Sequence, residues 1–318
     1  MGAFDAYIRL EGSIEGSITC DEPMSRHTTY RIGGPAALYI TCDTVSDLSL
    51  VTEVLAEEDV EWTVVGKGSN LLVADAGYDG AVIVLGREFS RIDFGGYDDE
   101  DATDVQEVEQ PADVLVTVGG ACVLSRLVTK AFGLGLDGLG FAVGTPGTVG
   151  GAVRMNAGTA KDWLSSVLES VTLFTPGSGL SKVSATNIQW GYRQSSIPAD
   201  AIVVEVELIL HPSDKMVLHA SMESTLRRRR QTQPLSKPSC GSVFKGAQGV
   251  SAGQLIDSCG LKGATCGDAQ ISDVHANFIV NNGNAKASDV ASLIKLAQDK
   301  VREEHGIELQ PEVRFLGF

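Results

Sequence analysis

The stretch GFAVGTPGTVGGAVRMNAG, residues 140–158, decides how this 318-residue chain is read: six of its nineteen positions are glycine, and its only charge is Arg154. A backbone so poor in Cβ atoms can approach a ligand closely, and successive N–H groups in such loops form concavities that take anions without lysines. Two common nucleotide fingerprints fail here. GxGxxG needs a tight first Gly-x-Gly, which Gly144-x-x-Gly147-x-x-Gly150-Gly151 lacks. Gly138-Leu139-Gly140 supplies it, but the next glycine, Gly144, falls one position late. No GxxxxGK[ST] occurs either. Two glycine-rich loops remain, GKGSN (66–70) and GTPGTVGG (144–151), which read either as a cradle for a dinucleotide-like anion or as structural turns.

Composition narrows the setting. Hydrophobic residues at 43% and charged residues at 21% suit a soluble globular protein, and the length suits two or three domains. The N-terminus has no basic segment leading into an apolar run, and Ala6 stands where a myristoylation motif takes Ser or Thr. No stretch reaches the roughly 18 apolar residues of a membrane span. A net charge of −16 argues against nucleic acid or an anionic membrane as partner. The segment DDEDATDVQEVE (98–109), with seven acids, reads as a solvated loop. Cys20, Cys42, Cys122, Cys240, Cys259 and Cys266 form no CxxC, and the five histidines form no HxxxH or HExxH. The expectation is a cytoplasmic monomer with free thiols and no protein-ligated metal.

Periodicity supplies an α+β outline. Residues 46–57, 121–133, 213–233, 252–259 and 288–306 read as helices; 290, 293, 294, 297 and 301 hold one face of the last. Residues 61–66, 81–86, 113–120, 171–175, 201–210 and 275–281 read as strands, with a final strand in IELQPEVRFLG (307–317). The pattern changes after His211-Pro212, which places a domain boundary near 212 and divides the chain into 1–212 and 213–318.

VVGKGSNLLVAD together with GFAVGTPGTVGGAVRMNAG resembles the flavin-binding domain of vanillyl-alcohol-oxidase (VAO/PCMH) type proteins. The second half is more specific. YRQS (192–195), RRRQTQPLSKPSCGSVFK (228–245), AGQLIDSCGLKG (252–263), SDVHANFIVN (272–281) and PEVRFLG (311–317) appear in the order seen in the UDP-N-acetylenolpyruvoylglucosamine reductase family. The resemblance runs from about Tyr30 to Gly317. It implies a two-part FAD-binding region, its halves meeting near residue 87, followed by a smaller α+β substrate domain whose last strand can return to the first. It also implies non-covalent FAD, reduced by NADPH and reoxidised by an enolpyruvyl nucleotide sugar. Neither glycine-rich motif contains the His or Cys by which relatives tether flavin.

The same resemblance assigns residues. Gly66, Lys67, Gly68, Ser69, Asn70, Gly144, Thr145, Gly147, Gly150, Gly151, Asn156 and Gly158 match positions that bind the cofactor, and Tyr192, Arg228, Arg229 and Lys245 positions that bind substrate. Hydride delivery to C3 of the enolpyruvyl group leaves negative charge at C2 and on its carboxylate. Arg193 matches the arginine whose guanidinium stabilises that charge, Ser242 the donor of a proton to C2, and Glu312 the catalytic glutamate. Read without the resemblance, Arg193 closes a turn before Ile197-Pro198, Ser242 is a turn serine, Glu312 is an exposed acid, and RRRR (227–230) is a helix-end charge cluster. Gly246-Ala247 departs from the family's Asn-Pro or Arg-Pro after GSxFK, and Thr159-Ala160-Lys161 from its Ala-Tyr-Gly. With no tyrosine-bearing insertion between 193 and 212, the shorter subtype fits better. Another VAO-type oxidoreductase of a small alcohol or hydroxy acid, and a silent nucleotide-sugar-binding homologue, are the alternatives.

Overall fold

The structure, a computed structural model, describes residues 2–97, 112–159, 162–247 and 249–318, so the acidic segment 98–109 lies outside the described residues. Helix α1 (Gly2–Leu10) precedes β1 (Ser17–Pro23), β2 (Pro35–Cys42), α2 (Val45–Glu57), β3 (Trp62–Val64), β4 (Leu71–Val73) and β5 (Tyr78–Leu85). Next come β6 (Ile92–Asp93), β7 (Val114–Gly119), α3 (Leu124–Gly133), β8 (Leu136–Asp137) and α4 (Val149–Arg154). The middle continues with β9 (Leu168–Thr175), β10 (Gly179–Ser184), β11 (Trp190–Gly191), β12 (Gln194–Ser195) and β13 (Ile202–Pro212). The last third holds α5 (Lys215–Thr232), α6 (Ala252–Ser258), β14 (Thr265–Cys266), β15 (Ala269–Ile271), β16 (Ile279–Asn281), α7 (Ala287–His305) and β17 (Arg314–Leu316).

These elements form two compact units, each discontinuous in sequence. One comprises Met1–Thr19, Tyr39–Gly66 and Val82–Arg227; the other comprises Cys20–Leu38, Lys67–Ala81 and Arg228–Phe318. Four of the five sequence boundaries between them fall inside β1, β2, β5 and α5, and the fifth, Gly66/Lys67, in the loop between β3 and β4. Strands β1, β2, β5 and β3, in that order, make a four-stranded sheet.

The first unit is built on an antiparallel sheet of order β10-β9-β13-β7-β6, with β8 also paired to β13. Strand β13 is the long central member, and bulges between Val203 and Glu205 and between Glu207 and Leu208 shift its register on β9. Helix α3 buries Leu124, Leu127, Val128, Ala131 and Phe132, the i, i+3, i+4, i+7, i+8 stripe of an amphipathic helix, in the core that holds Val116, Val118, Val206 and Leu208. Helix α2 starts one residue earlier than its sequence suggests. Thr44, not Ser46, is its N-cap and accepts the Asp47 amide, while the buried Asp47 carboxylate accepts the amides of Asp43, Glu15 and Gly16.

The second unit packs α6 against α7 over the β14-β15-β16 sheet. Val290, Leu293, Ile294, Ala297 and Val301 of α7 are buried, as their spacing predicts, in a core shared with Leu255, Ile256, Tyr30 and Cys240. The first turn of α7 is held from afar: the Asp75 carboxylate accepts the amides of Ala287 at 2.6 Å and Ser288 at 3.0 Å. Strand β17 pairs in parallel with β4, matching Arg314–Leu316 to Leu71–Val73. Two strand predictions are corrected in length. Only 279–281 of 275–281 is extended, because the Phe278 amide turns back to the His275 carbonyl at 3.0 Å. Only 314–316 of the final segment forms a regular strand.

Candidate active site

In the first unit the predicted glycine loops meet at one point. A Cβ built on Gly66 would lie 2.5 Å from Thr148 Oγ1, so no larger residue fits beside the cap of α4. The residues GTPGTVGG are not loop throughout: Thr148 caps α4, which takes in Val149, Gly150 and Gly151. The amides of that first turn are committed to packing. Val149 donates to the Cys122 carbonyl at 2.9 Å, Gly150 to Gly120 at 2.8 Å, and Gly151 to Thr148 Oγ1 at 3.4 Å. Thr145 donates to the Ala142 carbonyl at 3.0 Å. Gly144 and Gly147 adopt positive φ, and Gly144 is exposed.

The MNAG end of the stretch supports a different piece of the predicted site. Strands β11 and β12 form a hairpin whose two turn residues are Tyr192 and Arg193. Asn156 is buried; its Nδ2 donates to the Gly191 carbonyl at 3.3 Å and its Oδ1 accepts the Ser165 amide at 3.1 Å. Arg193 Nη2 donates to the Gly158 carbonyl at 2.9 Å, and its guanidinium stands 5.2 Å from the centroid of the exposed Tyr192 ring. Both Asn156 (φ 41°) and Arg193 (φ 56°) occupy the left-handed region, sparsely populated by non-glycine residues and enriched at functional sites. The loop that presents Arg193 is thus held by the two MNAG residues predicted to touch cofactor.

The second unit brings Ser242 and Glu312 onto adjacent stretches of backbone. The Glu312 amide donates to the Val243 carbonyl at 2.7 Å, the Lys245 amide to Gln310 at 3.0 Å, and Phe244 bridges antiparallel to Pro311. Asn70 joins them: its Nδ2 donates to the Glu312 carbonyl at 3.0 Å, while its own carbonyl accepts the Arg314 amide at 3.0 Å. Asn70 therefore anchors the segment carrying Glu312. Gly68 (φ 57°) is forced to be glycine, since a Cβ would meet the His27 carbonyl at 2.2 Å. Lys67 is exposed; Ser69, Ser242, Lys245 and Glu312 are half-buried.

A residue that sequence reading did not single out clamps the same segment from its other side. Asn277, buried, accepts the Phe244 amide at 2.9 Å and donates to the Phe244 carbonyl at 2.8 Å, and its own carbonyl accepts the Val243 amide at 2.9 Å. The signal lay in HANFIVN, where a polar residue interrupts an apolar run. Cys240, two residues before Ser242, is fully enclosed; burial, reinforced by the Glu312 charge, pushes its thiol up to about 12. Such a thiol is inert as a nucleophile. Arg228 is exposed and Arg229 half-buried, where burial and then the Arg228 charge lower the Arg229 pKa. Arg193, Tyr192, Gly66 and residues 144–158 belong to one unit, and Lys67–Asn70, Arg228, Arg229, Ser242, Lys245 and Glu312 to the other.

Comparison with known proteins agrees with both halves. The family model described as the FAD binding domain matches residues 36–184, and that described as the UDP-N-acetylenolpyruvoylglucosamine reductase C-terminal domain matches residues 233–316. A UDP-N-acetylenolpyruvoylglucosamine reductase of Syntrophotalea carbinolica is 40% identical over 97% of this chain and 97% of its own length. The protein of that name from Bacillus subtilis is 37% identical over 95% of each chain. The crystal structure of UDP-N-acetylenolpyruvylglucosamine reductase from Thermus caldophilus superposes with a TM-score of 0.79 at 35% identity, covering 95% of this chain and 99% of that one. An α+β fold with a VAO/PCMH-type FAD-binding domain, and relatives matching nearly end to end, establish that the chain belongs to the UDP-N-acetylenolpyruvoylglucosamine reductase family of FAD-dependent oxidoreductases.

Proposed function

We propose that this protein reduces UDP-N-acetylglucosamine enolpyruvate to UDP-N-acetylmuramate, a peptidoglycan precursor, with NADPH as reductant. The observation that carries this reading is the pairing of residues 243–245 with 310–313, which sets Ser242 and Glu312 on adjacent stretches of backbone, the second tied by Asn70. Gly66 lets its loop pack on Thr148 and Gly68 on the His27 carbonyl, and these turns shape the backbone we assign to FAD. Gly144, Thr145 and Gly147, with Lys67 and Ser69, are the residues offered to a pyrophosphate, while Gly150 and Gly151 shape the turn beneath. Residues 1–212 form the cofactor-binding part, to which β17 returns by pairing with β4, and 213–318 the substrate-binding part.

Bound flavin supplies the hydride that adds to the enolpyruvyl C3. The chain's own residues handle the charge and the proton that follow. The Arg193 guanidinium, held by Gly158 and backed by Tyr192, faces the carboxylate and lowers the cost of the carbanionic C2. Ser242 gives its hydroxyl proton to C2; a serine is a weak acid, but the carbanion is a strong base, so the transfer runs downhill. Glu312 orients the enolate and the donor, while Lys245, Arg228 and Arg229 take the anionic groups of the nucleotide sugar. The deciding measurement is NADPH oxidation by purified, yellow protein with and without UDP-N-acetylglucosamine enolpyruvate. We expect oxidation to depend on the sugar; oxidation indifferent to it overturns the reading.

A further inference from the structure

Among the described residues, one group outside the candidate active site gathers three kinds of metal ligand. One donor atom each from Cys259, Glu304 and His305 lies within 4.8 Å of the others. Spacing in sequence hides the group, because Cys259 ends α6 whereas Glu304 and His305 end α7. We propose that Cys259, Glu304 and His305 form a three-ligand site for a borderline divalent metal, Zn2+, with water as the fourth ligand.

Four observations converge on a cation there. First, the imidazole is already anchored. His305 Nε2 lies 2.8 Å from Ser258 Oγ, and with the ring as donor in that contact Nδ1 is the nitrogen offered to a metal. Second, the site sits where α6 and α7 both end, and helix C-termini favour positive charge. Third, the basic side chains of the last turns of α7 make their ion pairs with acids outside the group, Lys300 with Glu303 at 2.8 Å and Arg302 with Asp299 at 3.1 Å, although the Lys300 charge also reaches Glu304 and Cys259. Fourth, the charges balance, since a thiolate and a carboxylate neutralise a dication. Binding replaces the S–H bond with a Zn–S bond and releases the proton to solvent. With Zn–S near 2.3 Å and Zn–N near 2.0 Å, a tetrahedral site needs its donors roughly 3.5 Å apart. Glu304 and His305 are exposed and can close the difference by side-chain rotation.

The test is calorimetric titration of the full-length flavoprotein with Zn2+ after chelator treatment, in wild type, Cys259→Ser, His305→Ala and Cys20→Ser. We expect one equivalent in wild type and Cys20→Ser, and at least about tenfold weaker binding in the other two. Zn2+ should also slow alkylation of Cys259, followed by mass spectrometry, by about tenfold or more without protecting the exposed Cys20. Wild type that binds no zinc, or Cys259→Ser and His305→Ala proteins that bind it as tightly as wild type, overturn the site.

Discussion

At the scale of the residue, the proposed chemistry assigns a few side chains roles that separate in experiment. Replacing Ser242 with Ala should leave flavin reduction by NADPH intact and slow reoxidation by the enolpyruvyl sugar about 10²–10⁴-fold. Stopped-flow absorbance of the two half-reactions checks this, and equal loss in both would remove Ser242 as proton donor. Asn277 belongs to a different class. Asn277→Ala strips both hydrogen bonds from the buried backbone of Phe244, and stranding two such groups costs on the order of 2–5 kcal/mol, measurable by denaturant unfolding. Its importance was not legible in the sequence, because a polar residue within HANFIVN gives no sign of what it faces. The same holds for Asn70, which the family resemblance marks for cofactor but which also grips the carbonyl of Glu312. The family resemblance, not the residue types, supplied the proposed chemistry; which backbone each residue steadies required coordinates.

Elements show where local pattern suffices. Helices α3 and α7 and strand β13 follow from apolar spacing alone, because each buries one face or a continuous run. Helix α4 did not: six residues with two glycines have little intrinsic propensity, and the helix exists because the Thr148 cap and the Gly120 and Cys122 carbonyls hold its first turn. The cap of α7 was equally invisible, since Asp75 lies far away in sequence. Burial raises the Asp75 pKa, but hydrogen bonds from Ser288 and Ala287 and the charge of Lys286 outweigh it, and the net shift is downward. The sign follows: a carboxylate whose folded pKa is depressed stabilises the fold fully above its unfolded pKa, near 3.9 by the model-peptide value, and that contribution disappears as pH falls through the folded value. Asp75→Asn should therefore be less stable than wild type at pH 7, with the gap closing below about pH 3–4, as read from unfolding curves across pH.

For the whole molecule, a net charge of −16 has to be reconciled with an anionic cofactor, an anionic reductant and an anionic substrate. Backbone dipoles and a few local cations at close range act within a Debye length, about 10 Å at 0.1 M salt, whereas the acidic surface acts from further away. Raising NaCl from about 20 to about 200 mM should therefore speed FAD uptake by apoprotein, followed by quenching of flavin fluorescence. A slower uptake would show that local cations, chiefly the arginines of α5, dominate the approach. The division into two interleaved units was the least legible feature, because contact between segments remote in sequence leaves no local pattern. It also governs the order of events on the ribosome. Strand β4 waits for β17, and the segments Cys20–Leu38 and Lys67–Ala81 wait for Arg228–Phe318, while Val82–Arg227 is made in between. At about 5–20 residues per second the roughly 240 residues between β4 and β17 take about 10–50 s, during which the strand beside Asn70 has an unpaired edge open to chaperones and to neighbouring nascent chains. The backbone that pairs with Val243 thus arrives last, and the second unit is complete only when β17 has emerged.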